Sequence, residues 1–205
     1  MISTGVSKFA MRLGVFAAAT VVAASHCSAQ GSEPIPVAAA RAGFILNFLR
    51  FTEWPDSVFA GDSSAVVVAV TGDRELVSTL STLVRDERIG RKQRAVKVVE
   101  VESPAPSGRT ADAEVQRTRL RNSHLAFVGP QARDRLQSVL RETSGRPVLT
   151  VSETPRFAER GGMIGLVVRD GRMTFDIAPQ RIRSAGIDLS SKVLRLGRVV
   201  GEPPR

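Results

Sequence analysis

Residues able to do covalent or metal chemistry are scarce in this chain. Histidine occurs only at His26 and His124, cysteine only at Cys27, and tyrosine not at all. Ser-His-Asp catalysis would have to use His124, but no Gly-x-Ser-x-Gly elbow holds up a serine nucleophile. Zinc sites draw on several histidine or cysteine ligands; here mostly carboxylates are left, and they lack EF-hand-like spacing. Gly161-Gly162 with Gly165 could pass for a phosphate loop. The Gly-Lys-Ser/Thr ending is absent, however, and so is a Gly-x-Gly-x-x-Gly fingerprint. These glycines fit a turn into a strand, with Gly165 a small residue inside it. His124 opens an apolar run and reads as structural. The expectation is a protein without enzymatic activity, metal or cofactor.

Side chains suited to contact are more concentrated. Phe44, Phe48, Phe51, Trp54 and Phe59 fall within sixteen residues. In one reading they are the buried face of an amphipathic helix. In the other, Phe51 and Trp54 at the helix end form an exposed anchor for a partner. The charge balance is 29 basic to 20 acidic residues, a net of +9. Arginines are scattered and not interleaved with aromatics, so no nucleic-acid partner is expected. A solvated basic surface and a site for anionic envelope polymers are the two remaining readings.

The elements that must position these residues begin after a leader. Lys8 and Arg12 precede an apolar run, Gly14 to Ala24, and Cys27-Ser28-Ala29 offers a small-residue cleavage site. Residues 1–29 are therefore read as a secretory signal peptide. The run is short for a membrane span, and His26 before Cys27 is a poor setting for lipid attachment. Residues 30–36 read as a linker, 37–200 as a single domain and 201–205 as a tail. Removal of the leader takes away the one cysteine, so no intramolecular disulfide is expected.

From Val37 the pattern is helical, with a stop near Trp54 before Pro55. Strands are expected over Ala65–Val70, Ala95–Val101, Ser123–Val128 and Pro147–Val151. Helices fall between them. One is capped by Asp73 and turns Leu76, Leu80 and Leu83 inward; the others cover Ala111–Leu120 and Gln131–Thr143. Glu102–Thr110 reads as a loop. This alternation predicts an α/β three-layer sandwich, with a mostly parallel central sheet and helices on both faces. A C-terminal β-hairpin turning at Asp170-Gly171 belongs at the sheet margin, in the register Arg169–Arg172, Leu166–Phe175 and Ile164–Ile177. One hairpin face (Ile164, Leu166, Val168, Met173, Phe175, Ile177) is apolar throughout. The other (Met163, Gly165, Val167, Thr174, Asp176) is mixed. Pro179 onward is expected to be helical, and Leu189–Val199 to pack Val193, Leu194 and Leu196 inward.

The mixed face beside the Phe157 segment is a candidate contact surface, with Phe157, Met163, Val167 and Asp176 as its partner-binding residues. The competing reading places a helix over this face and leaves the hairpin purely structural.

Three segments carry a resemblance: RAGFILNFLRFTEWP from Arg41, PVLTVSETPRFAERGG from Pro147, and GRMTFDIAPQRIRSAGIDLSSKVLRLGRV from Gly171. With Gly90-Arg91, their order and spacing are similar to the YfiR family of small periplasmic proteins. The resemblance implies a protein-binding regulator with an α/β sandwich fold. Its expected partner is an inner-membrane signalling protein with a periplasmic sensor domain, a diguanylate cyclase or a kinase. Repression of the cyclase would limit cyclic-di-GMP output and biofilm formation. An outer-membrane lipoprotein that sequesters the regulator and a homodimer are further implications. Two departures stand out. Ser123-His124 occupies the place where members often carry a cysteine, so control through a disulfide does not transfer. The family's Phe-Glu-Ile-Asn segment is here Phe175-Asp176-Ile177-Ala178, which keeps the acid and loses the amide.

Overall fold

A computed structural model describes residues 37–102 and 110–201. The expected signal peptide and linker, most of the expected Glu102–Thr110 loop and the final four residues lie outside the described residues. In chain order the elements are α1 (Val37–Arg50), β1 (Thr52–Glu53), β2 (Val66–Thr71), α2 (Arg74–Leu83), β3 (Arg88–Ile89), β4 (Arg94–Glu100) and α3 (Ala111–Arg121). There follow β5 (Leu125–Val128), α4 (Leu136–Thr143), β6 (Leu149–Ser152), β7 (Ile164–Arg169) and β8 (Arg172–Ile177). The chain closes with α5 (Pro179–Ser184), β9 (Asp188–Leu189), α6 (Ser191–Leu196) and β10 (Arg198–Val199).

Eight strands form one sheet in the order β10-β8-β7-β6-β5-β2-β4-β3. It is mostly parallel, with β3–β4 and β7–β8 antiparallel. The chain leaves β2 in one direction to β4, then returns past β2 to β5 and β6. Right-handed crossovers in opposite directions must place their helices on opposite faces. The core follows suit. Val66, Val68, Val70, Leu125 and Phe127 pack with α1, α2, α5 and α6. Ala69, Ala126 and Val128 pack with Leu120 of α3 and Leu136 and Val139 of α4. Helices on both faces of a mostly parallel sheet, with a hairpin toward one margin, is the sandwich expected from the alternation.

Several boundaries differ for identifiable reasons. The first helix stops at Arg50, short of Trp54. Thr52 Oγ1 donates to the Phe48 carbonyl at 2.6 Å, and Thr52-Glu53 then pairs with β9 in a separate two-stranded sheet. Asp73 caps α2 by accepting from the Leu76 amide at 3.0 Å, but Leu83 is 41% exposed instead of inward. The expected Gln131–Thr143 helix is a 3₁₀ turn over Pro130–Arg135 followed by α4, with Ala132 off helical geometry. Ala132 lies so close to Gly72 that any side chain at position 72 would collide with it. The stretch read as one packed segment, Leu189–Val199, is split into the end of β9, α6 and β10. Val193 is buried and Leu194 partly so, while Leu196 is 74% exposed. None of the described helices is long and apolar enough to cross a membrane.

Candidate functional site

The hairpin forms in the expected register, Arg169 to Arg172 through Ile164 to Ile177. Its two-residue turn requires positive φ at both central positions. Asp170 (φ 51°) and Gly171 (φ 72°) supply it. The apolar face is buried at its base, where Phe175 meets Phe48 edge-on with ring centroids 5.2 Å apart. It emerges at the tip, where Val168 is 68% exposed.

The other face carries charge. Asp176 is buried and accepts two hydrogen bonds from Arg198, from Nε at 2.9 Å and Nη2 at 2.7 Å. Arg169, two residues beyond Val167 on the same face, reaches back to the same carboxylate. Glu159 stands 3.6 Å from Arg198 and completes the chain of charges. The Arg198 bond foremost, with Arg169, holds the Asp176 carboxyl below the usual carboxylate range against the opposing effect of burial. A bidentate guanidinium–carboxylate pair fixes geometry as well as charge. Because Arg198 is in register with Asp176, it fastens the short strand β10 to the sheet edge.

The four residues expected to bind a partner have different fates. Val167 and Asp176 share the hairpin face by strand alternation, with Val167 partly exposed and Asp176 buried under its arginines. Phe157 is buried near Gly165, in the core with α3 and α4. Its ring lies against Gly162 so closely that a Cβ there would overlap it. Met163 is buried in the opposite core, with α1. The structure thus brings together Val167 and Asp176, with Phe157 beneath them, and sets Met163 apart. Apolar groups exposed at this end of the sheet are Val168, Leu196 and Val199.

Sequence reasoning missed Arg169, Arg198 and Glu159. Alternation along the hairpin puts Arg169 on the Asp176 face and could have flagged it. Arg198 had no such signal, because a two-residue parallel strand leaves no periodicity.

The other surface expected to bind, at the end of α1, is divided. Phe51 is 37% exposed. Trp54 is buried, and its indole N–H donates to the His124 carbonyl at 3.0 Å. His124 lies in an aromatic stack. Phe59 is parallel to it at 4.4 Å, Trp54 meets it edge-on at 5.8 Å, and the Arg94 guanidinium covers the outer side of Phe59 at 3.8 Å. Among the described residues no group of three or more His, Cys, Asp or Glu converges on a point that could hold a metal.

The fold is thus an α/β sandwich whose margin carries a pinned charge network near exposed apolar side chains. The chain belongs to the YfiR/HmsC-like family, whose model matches residues 38–198. A search of curated proteins found no match. The family fits a periplasmic regulator and implies a membrane signalling partner in general.

Proposed function

We propose that this protein is exported by cleavage near Ala29 and restrains an inner-membrane signalling protein in the periplasm, with a diguanylate cyclase the leading partner. Repression there lowers cyclic-di-GMP output and biofilm formation. The observation that carries this reading is the family match across residues 38–198. The contact surface in this proposal is the hairpin margin, with Val167 and Asp176 from the expected set and Phe157 supporting them from below, while Met163 packs in the opposite core. Exposed Val168 and Leu196 supply the apolar area, and the Arg169–Asp176–Arg198 network fixes register. A homodimer and a sequestering outer-membrane lipoprotein belong to the same proposal.

The test is a pull-down from envelope extracts of the source cell. Substitution of buried Met163 or Asp176 would read folding together with binding, so the informative variants are Val168→Glu and Leu196→Glu, both on exposed side chains. The expected result is recovery of a cyclase or kinase with a periplasmic sensor domain, reduced at least about tenfold by each substitution. Full recovery with both variants would remove the hairpin margin from the proposal. Recovery of no membrane protein would turn the reading toward a sensor of a small ligand or anionic polymer.

A further inference from the structure

The hairpin and β10 lie at one margin of the large sheet; β4 lies at the other, behind only the two residues of β3. β3 pairs with Arg94 and Ala95, so the rest of β4 has a strand on one side alone, β2. The Val101 amide donates to the Val70 carbonyl at 2.9 Å. In a parallel ladder alternate residues bond to the same neighbour, so Lys97, Val99 and Val101 turn their backbone groups toward β2. Val98 and Glu100 turn theirs outward. Among the described residues no hydrogen bond reaches those outward N–H and C=O groups. Glu100 is exposed and Val98 half-buried.

Beside this free edge runs an open groove of about 480 Å³ on the α3 face of the sheet. Half-buried Val67 and Val99 form its floor, and Lys97, Thr118 and Arg119 stand around it. Lys97 and Arg119 are exposed, and neither has an acidic partner among the described residues. Glu100 also borders the groove, but its carboxylate accepts from Arg74 of α2 at 2.9 Å. The groove is therefore apolar at its floor and positive at its rim.

We infer that the free edge of β4 takes an extended, acidic segment of another protein as an added strand. Backbone bonds to Val98 and Glu100 supply affinity, and every second side chain of the guest enters the groove. Carboxylates on those side chains meet Lys97 and Arg119. Charge decides the occupant. A second copy of this chain, pairing its β4 antiparallel across the edge, would bring two Lys97 side chains onto one face, and like charges across a strand pair are destabilising. Lysine on an edge strand is a usual guard against such pairing, whereas an acidic guest neutralises it. The site uses none of the hairpin, so this inference and the partner reading fail independently.

The test is fluorescence anisotropy of a dye-labelled peptide of alternating glutamate and valine, titrated with the intact chain. The expected result is saturable binding with a Kd below about 1 mM, at least about tenfold tighter than for a matched lysine–valine peptide. Lys97→Glu with Arg119→Glu, both at exposed positions, should weaken it at least about tenfold. Val98→Pro removes an outward N–H, which an edge strand tolerates, and should abolish binding. Since Val98 is half-buried, the same question is put with the protein unaltered, by N-methylating the peptide either at its glutamates or at its valines. Only alternate N–H groups of an added strand face β4, so one methylated peptide should lose binding and the other keep it. No saturable binding, equal binding of the lysine–valine peptide, or equal effects of the two methylations overturns the inference. A chain that sediments as a dimer and becomes monomeric in Val98→Pro would give the edge to a second copy and overturn it as well.

Discussion

The imidazole of His124 gives its Nδ1 lone pair to the Val67 amide and is closed in by Phe59 and Trp54. Protonation would break that bond and bury a charge within reach of Arg94. Burial first, and the Arg94 charge second, push its pKa from 6.5 down to about 4. Above the unfolded value neither state holds the proton, and the effect vanishes. As pH falls from 6.5 toward about 4, the unfolded chain binds a proton that the folded one refuses, and stability is lost. The whole loss amounts to about 3 kcal/mol. His124→Gln keeps an acceptor for Val67 without titrating. Urea denaturation in carboxylate-free buffer should therefore show that the protein loses about 2 kcal/mol more than the variant between about pH 7 and pH 4.5. Equal losses would mean that the imidazole is not the source. Composition alone singled out His124, and its strand setting pointed to a structural part. The aromatic window around Trp54 was equally visible, but the fate of Trp54 was not. It is buried because its N–H finds a carbonyl 70 residues along the chain, and no local pattern carries that.

At the scale of elements, the hairpin was the most legible part of the fold. Asp170-Gly171 dictates the turn, and the turn dictates every pair that follows. The four two-residue strands were invisible, because pairing so short is decided by tertiary neighbours and not by alternation. Leu83 and Leu196 were misplaced for a related reason. Helical spacing says which residues share a face, but not where along the axis the covering element ends. Glycines were read correctly as a turn leading into a strand, yet their main service is to Phe157. A Cβ at Gly162 would overlap the Phe157 ring, whereas one at Gly165 would sit 3.5 Å from the nearest atom, ordinary contact. Gly162→Ala should therefore cost about 1–3 kcal/mol through overpacking. Gly165→Ala should stay within about 1 kcal/mol. Thermal midpoints of the two variants check this; similar losses in both would show that the ring simply moves aside.

At the scale of the molecule, the first described helix holds the sheet together from one side. Alternation foretold helices on both faces, but not that α1, ahead of the first sheet strand, would pack at the centre of the larger core. Nor did it show how α1 is fastened. Arg41 donates through Nη1 to Asp73 at 2.9 Å and through Nε to Glu153 at 2.7 Å. Asp73 follows β2 and caps α2, while Glu153 follows β6, so one guanidinium joins a helix to the carboxyl ends of two strands separated by β5. The Glu153 bond foremost raises the Arg41 pKa, keeping it charged across any accessible pH. Arg41 and its two partners are mostly buried. Removal of the cation alone would leave two adjacent carboxylates facing each other with little water, the costly half of breaking a buried pair. Arg41→Met, which keeps much of the stem, should destabilise the protein by about 2–4 kcal/mol. A surface pair such as Arg74–Glu100 should cost less than about 1 kcal/mol when broken by Arg74→Met. If the cost in Arg41→Met arises from the stranded carboxylates, adding Asp73→Asn and Glu153→Gln should recover part of it. A triple variant as unstable as Arg41→Met would show that the packing of the arginine stem on the sheet, and not charge, is what seats α1.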